Sequence, residues 1–194
     1  HLAREGSSTT NVPFGRSSPT RVQSCYDPML FPGPVTIQSL ALRMDGGATA
    51  AAKVVDVEIR MSTMTGTVLA LNADFAQNRG LDETTVLPQQ LLTLPAHTTI
   101  ASPNSFAPPI QLAVPFAYDP ALGSLLIEII VYGQPPGAYP LDITYVCDSP
   151  EVPIGPVACA QPGGPPLRVE SSTTQVMWGR PWVARVLDAP PGAL

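Results

Sequence analysis

Val55-Asp56-Val57-Glu58-Ile59-Arg60-Met61 alternates apolar and charged side chains without a break. Side chains of a strand point to opposite faces in turn, so this period of two describes a strand with one buried face. Val55, Val57, Ile59 and Met61 are expected inward, and Asp56, Glu58 and Arg60 outward. To its N-terminal side, residues 35–44 (VTIQSLALRM) are rich in β-formers and stop at Asp45-Gly46-Gly47, a strong turn signal. To its C-terminal side, Leu125–Tyr132 is apolar on both faces apart from Glu128, which predicts a central strand covered on both sides. Further strands are expected at Thr67–Leu71, Gln90–Leu94, His97–Ala101, Ile110–Phe116, Leu141–Val146, Leu167–Ser171, Thr174–Trp178 and Val183–Leu187. Ala73–Arg79 has room for one helical turn.

Between these runs stand 24 Pro and 15 Gly in 194 residues. Proline breaks helices and is tolerated in sheets at edges and turns, so long helices are excluded and many short strands favoured. About ten strands predict an all-β, antiparallel β-sandwich, jelly-roll-like. Residues 1–24 are rich in Ser, Thr, Gly and Arg and read as an extended N-terminal arm, with one sandwich domain over 25–194.

Hydrophobic residues make up 44% of the chain, enough for a core. The net charge is −5, and Lys53 is the only lysine. A phosphate-binding surface needs clustered Lys and Arg, so nucleic acid is not an expected partner. No apolar run approaches the ~18 residues of a membrane-spanning helix. Only 13% of residues are charged; a surface this poor in charge depends on Ser/Thr, on glycans or on burial in an assembly. Ser7–Thr10, Ser17–Thr20 and Ser171–Thr174 are candidate O-glycan clusters, and Asn-x-Ser/Thr sequons are absent.

The three cysteines are Cys25, Cys147 and Cys159. Cys147 and Cys159 flank a Pro-rich loop and are expected to form a disulfide in an oxidising compartment, contributing about 3 kcal/mol in the chain-entropy model. Cys25 then stays free or pairs between copies. No spacing of Cys and His suggests zinc. The chain starts at His1, which together with the cysteines and composition reads as a mature secreted chain without its signal peptide.

Four segments, in order, carry a resemblance. They are Gln23–Asp27 with Gly33–Ile37, Ile59–Thr63, Asp74–Asp82 and Pro115–Leu126. The pattern resembles an uncharacterised secreted bacterial β-domain found in some extracellular proteins with a PEP-CTERM sorting tail. Ser124 stands where that pattern has Asn, and no hydrophobic tail follows Asp188. The resemblance covers about residues 22–132 and implies a secreted β-sandwich without assigning an activity, a catalytic residue or a cofactor.

Candidate chemistry is sparse. A Ser-His-Asp arrangement would need His97, since His1 is terminal, and no Gly-x-Ser-x-Gly elbow accompanies it. Glu58, Glu128 and Asp142 supply carboxylates for glycoside hydrolysis if two converge. Asp74, Asp82, Glu83 and Asp119 supply oxygen ligands for Ca²⁺, although Tyr118-Asp119-Pro120 is equally a turn signal. Trp178 and Trp182 with Tyr132 and Tyr139 would make a sugar-stacking face, or else anchor a hairpin.

The expectation is therefore a non-enzymatic, cofactor-free structural subunit of an extracellular filament or surface layer, a head-to-tail homo-oligomer. The arm would join it to a neighbour by strand addition, through Thr9, Thr10, Asn11, Val12, Pro13 and Phe14. The alternative is a secreted carbohydrate-binding module.

Overall fold

The computed structural model describes residues 6, 8–17, 19–66, 68, 71–98, 101–143, 168–171 and 184–187. Among them the regular structure is β-strand, with three short 3-10 turns. Thr9–Asp142 form one compact unit, and Gly6, Ser8, Ile143 and the last two strands belong to a second.

The strands are β1 (Ser8–Thr10), β2 (Thr20–Tyr26), β3 (Val35–Leu40), β4 (Lys53–Met64), β5 (Thr84–Leu94), β6 (Ile110–Tyr118), β7 (Ser124–Gly133), β8 (Leu141–Ile143), β9 (Arg168–Ser171) and β10 (Ala184–Leu187). A four-stranded sheet runs β2-β7-β4-β5, and β3 pairs with β6 in a second sheet. All of these pairings are antiparallel. β2 pairs with β7, β3 with β6 and β4 with β5, so the pairing is nested. That is one long hairpin folded over on itself, the path of a jelly roll. β1 pairs with β8. In the second unit β9 and β10 make a two-stranded antiparallel ribbon, Arg168 opposite Leu187.

The alternation that identified β4 is its burial pattern. Val55, Val57 and Ile59 are wholly buried and Met61 nearly so, facing Ile110, Phe116 and Tyr118 of the second sheet in one core. Burying each such side chain contributes about 1.5–3 kcal/mol before ordering costs. β7 is central, with β2 on one side and β4 on the other. Its inner residues Leu125, Ile127 and Val131 join the core.

One expectation is corrected: the outer face of β4 is not solvated. Glu58 is buried and Arg60 half-buried, because residues 71–83 partner the outer side of this sheet. In a full jelly roll the chain between β4 and β5 would build another hairpin; here it forms a 3-10 turn, Phe75–Asn78, capped by Asp74. Gln23 donates to the Phe75 carbonyl and accepts from Asn78, and Arg21 lies 5.1 Å from the Phe75 ring centre. Gly80 allows the segment to approach β4, since a Cβ there would lie 1.9 Å from the Thr63 carbonyl oxygen.

Nearer the N-terminus, residues 11–14 make contacts with the rest of their own chain. The expected boundary at residue 24 falls inside β2. Pro13 is buried, and Phe14 is completely buried in the core of its own chain, edge-on to Tyr139 at 6.4 Å. Lys53 donates to the carbonyls of Phe14 (2.8 Å) and Gly137 (2.7 Å), and more weakly to that of Pro135 (3.4 Å). Gln134 donates to the Pro13 carbonyl, and the Asn11 side chain accepts from the Tyr139 amide. Apolar burial and satisfied carbonyls together hold Asn11–Phe14 against its own body.

Phe14→Ala is therefore expected to cost about 3–5 kcal/mol of unfolding free energy in urea denaturation. A free arm would give a change near zero, and that result would contradict the docking.

Candidate functional site

Two features of the first unit stand out: a charged cluster on the outer face of the four-stranded sheet, and a pair of turns at one end of the sandwich.

The cluster is built from register. Arg60 on β4 lies opposite Glu128 on β7, which lies opposite Gln23 on β2, while Glu58 lies opposite Ile130. Glu58 and Glu128 are thus diagonal neighbours on one face. Glu128 is 2% exposed and takes Arg21 on one oxygen and Arg79 on the other, the latter at 2.8 Å. Glu58 takes Arg60 on one oxygen and the Tyr132 hydroxyl on the other at 3.0 Å. Glu83 bridges Arg60 (3.0 Å) and Arg79 (3.3 Å). Three arginines and three glutamates close a neutral network. All four oxygens of Glu58 and Glu128 accept hydrogen bonds from the chain itself. The bond to Glu58 raises the Tyr132 phenol above its ordinary value, because it stabilises the protonated hydroxyl. Asp142 stands elsewhere, bonded to buried Arg43 at 2.6 Å.

The other candidates are dispersed too. Asp74 and Asp119 each cap a 3-10 turn through their own side chain, and Asp82 accepts from the Thr63 amide at 2.7 Å. No cluster of metal-ligating side chains occurs among the described residues. His97 pairs through its backbone with Ala50, and its buried Nε2 makes no hydrogen bond. Tyr139 is buried with its hydroxyl on the Pro95 carbonyl, whereas Tyr132 is half exposed on the outer face. Trp178, Trp182, His1, Cys147 and Cys159 lie outside the described residues. Cys25 is a free, half-buried thiol, and burial pushes its pKa above the ordinary 9.0.

The pair of turns escaped the sequence reading, although its signal was present. Tyr26-Asp27-Pro28-Met29-Leu30 and Tyr118-Asp119-Pro120-Ala121-Leu122 are two copies of one pattern, Tyr-Asp-Pro-x-Leu. Each ends a strand and carries the chain from one sheet to the other, β2 to β3 and β6 to β7. The two build the same local structure. Asp27 and Asp119 accept from the amide two residues on, at 2.8 and 2.9 Å. Leu30 and Leu122 donate to the Asp27 and Asp119 carbonyls, at 3.0 and 3.1 Å. Each proline occupies the first helical position, where its missing N–H costs nothing. The turns touch each other because β2·β7 and β3·β6 are paired.

The frame beneath them is tied by a ring contact and a hydrogen bond. Phe31 meets the Tyr118 ring edge-on at 4.9 Å, and the Tyr118 hydroxyl donates to the Gly123 carbonyl at 2.7 Å. Gly123 has φ of +145°, and a Cβ there would lie 2.2 Å from the Met64 carbonyl oxygen. On this frame stand three large apolar side chains that the core does not use: Met29 is 92% exposed, Leu122 67% and Leu30 56%.

At the far end of β6 lies a half-open apolar cleft of about 210 Å³, lined by Leu42, Leu92, Leu94, Pro108, Pro109 and Ile110 among others.

Comparison of the chain with protein-family models, curated proteins and solved structures finds no match.

Two outcomes follow from the site chemistry. Glu128→Gln leaves Arg21 and Arg79 without a buried counter-charge and is expected to cost about 3–5 kcal/mol of stability. Glu83→Gln, in a more exposed position, is expected to cost under about 1 kcal/mol; equal losses in urea denaturation would contradict the network's order of importance. Because burial raises the Cys25 thiol, its alkylation by iodoacetamide should be slow at neutral pH and still rising at pH 9, read by peptide mass mapping. A rate that has levelled off by pH 8 would contradict the raised pKa.

Proposed function

We propose that this chain is a structural subunit of an extracellular assembly, joined to its neighbours through the twin-turn end of the sandwich. The observation that carries this is the exposure of Met29, Leu30 and Leu122 on two adjoining, Asp-capped turns. Isolated exposed apolar residues are ordinary, but three large ones on one frame make an anchor patch suited to a partner surface. The carboxylates and arginines of the outer face support the same reading, since their bonding capacity is spent inside the fold.

Placement outside the cell is supported by the resemblance to secreted β-domains. It is also supported by a composition of 13% charged residues and a single lysine. The joint is assigned to the twin turns and not to Thr9–Phe14, whose anchor Phe14 fills its own core.

Sedimentation velocity of the full chain over a range of concentrations tests the reading. The wild-type chain should associate reversibly. Met29→Asp with Leu122→Asp should weaken association about 100-fold, at about 1–2 kcal/mol for each anchor lost. The unfolding midpoint should be unchanged, because both side chains are exposed. A wild-type chain that stays monomeric throughout, or a double variant that associates as before, would reject the proposal.

A further inference from the structure

We propose that the free edge of β2 pairs antiparallel with the β2 edge of a second copy, so that a ladder of backbone hydrogen bonds runs beside the twin turns. This rests on the reading of the twin turns as the joint and adds the partner and its geometry: a second copy of this chain, related by a two-fold axis.

Among the described residues β2 pairs with β7 alone, which makes it an edge strand. In an antiparallel pair, alternate residues direct both backbone groups at the partner strand, and those between them direct theirs away. About half of the backbone donors and acceptors of β2 therefore point outward. Among the described residues no backbone hydrogen bond from outside the ladder reaches Arg21–Tyr26. The side chains report the same opening. Thr20, Val22, Ser24 and Cys25 are only half-buried, although the second sheet lies on one face of this sheet and residues 71–83 on the other.

Native edges are normally blunted by proline, by bulges or by free charge. β5, the opposite edge of the same sheet, is blunted: Pro88 is exposed on it, and its pairing with β4 shifts register twice. β2 lacks these devices. Its seven residues contain no proline or lysine and pair with β7 in one unbroken register. Its one charge, Arg21, is spent on Glu128. An apolar surface can be covered by any apolar group, but a row of unpaired amides and carbonyls at strand spacing is matched by the backbone of another extended strand.

β2 itself supplies that strand. A two-fold axis at Gln23 pairs all seven residues, with Thr20 opposite Tyr26, Arg21 opposite Cys25 and Val22 opposite Ser24. The ladder is then about 20 Å long, and no like charges face each other across it. The two four-stranded sheets become one of eight strands. β2 also runs directly into the first of the twin turns, so the contact continues past its end. Tyr26 stops opposite Thr20 of the second copy, and Met29 and Leu30 come beside the exposed Ser17 and Pro19 of that copy. The same patch is used on both sides, so the contact is isologous and closes at two copies.

Disulfide trapping in the full chain, with Cys25→Ser as background, tests the register. One copy carries Val22→Cys and the other Ser24→Cys. Directly opposite residues lie within reach of a disulfide, so the mixture should give an interchain bridge between positions 22 and 24 in peptide mass mapping, and neither copy alone should. A second measurement does not depend on cysteine. Of two neighbouring residues in β2 one directs its N–H outward, so one of Ser24→Pro and Cys25→Pro spares the β7 ladder and keeps the wild-type unfolding midpoint. Association of that variant in sedimentation velocity should weaken about 10- to 100-fold. A mixture that associates without the bridge, or a folded proline variant that associates like wild type, would overturn β2 as the partner strand and leave the twin turns as the joint. Bridges formed mainly between two copies of position 22 or two of position 24 would overturn the axis at Gln23. Association that survives Met29→Asp with Leu122→Asp would overturn both this inference and the reading beneath it.

Discussion

A strand that is apolar on both faces has to be covered on both, and β7 imposes that condition on the fold. It sits between β2 and β4 in the middle of the four-stranded sheet. Leu125, Ile127 and Val131 are buried on its inner side, and Leu126 and Glu128 on its outer side. The second sheet covers the inner side. On the outer side residues 71–83 meet the sheet with polar groups: the Phe75 carbonyl and Asn78 at β2, Arg79 at β7 and Asp82 at β4. Glu128 within that layer is tolerable only because two arginines neutralise it. The charged cluster is thus a consequence of how the sheet is covered.

The same topology produces the twin turns. Nested pairing of β2 with β7 and β3 with β6 brings the two sheet-to-sheet crossings side by side at one end. The crossings share one steric and hydrogen-bonding problem, and both copies of Tyr-Asp-Pro-x-Leu solve it alike: Asp caps, Pro starts the turn, and the Leu that closes it is left outside. Gly123 then lets the chain re-enter the sheet at a φ that other residues rarely adopt. Exposed apolar side chains at this end follow from the geometry of the corner. The chain presents an apolar end where a solubility-optimised surface would place charge.

What the sequence revealed and what it hid both have physical causes. β4 and β7 were legible because burial on one face or two writes a period, or a run, directly into the residues. β2 was not, because an edge strand reading Thr-Arg-Val-Gln-Ser-Cys-Tyr mixes polar and apolar residues on both faces, one toward the core and one toward the 71–83 segment. The outer face of β4 was read as solvated because alternation reports which residues are inside, not what covers the others. The N-terminal segment looked free because its composition is polar overall; a single phenylalanine and carbonyls bound by Lys53 and Gln134 dock it, and composition weighs neither. Glu58 and Glu128 were found as candidates, but their saturation by Arg21, Arg60, Arg79 and Tyr132 depends on cross-strand register. The Tyr-Asp-Pro-x-Leu pattern was read as a turn only at Tyr118-Asp119-Pro120; its second copy at Tyr26 went unread, and only the nested pairing brings the two together.

The account has its centre in a sandwich that ends in an apolar knob formed by two crossings. Electron cryomicroscopy of the assembled full chain examines this most directly. The account predicts that the junctions between subunits are built by Met29, Leu30 and Leu122 of the twin turns. Assemblies whose junctions leave these three side chains in solvent would contradict it.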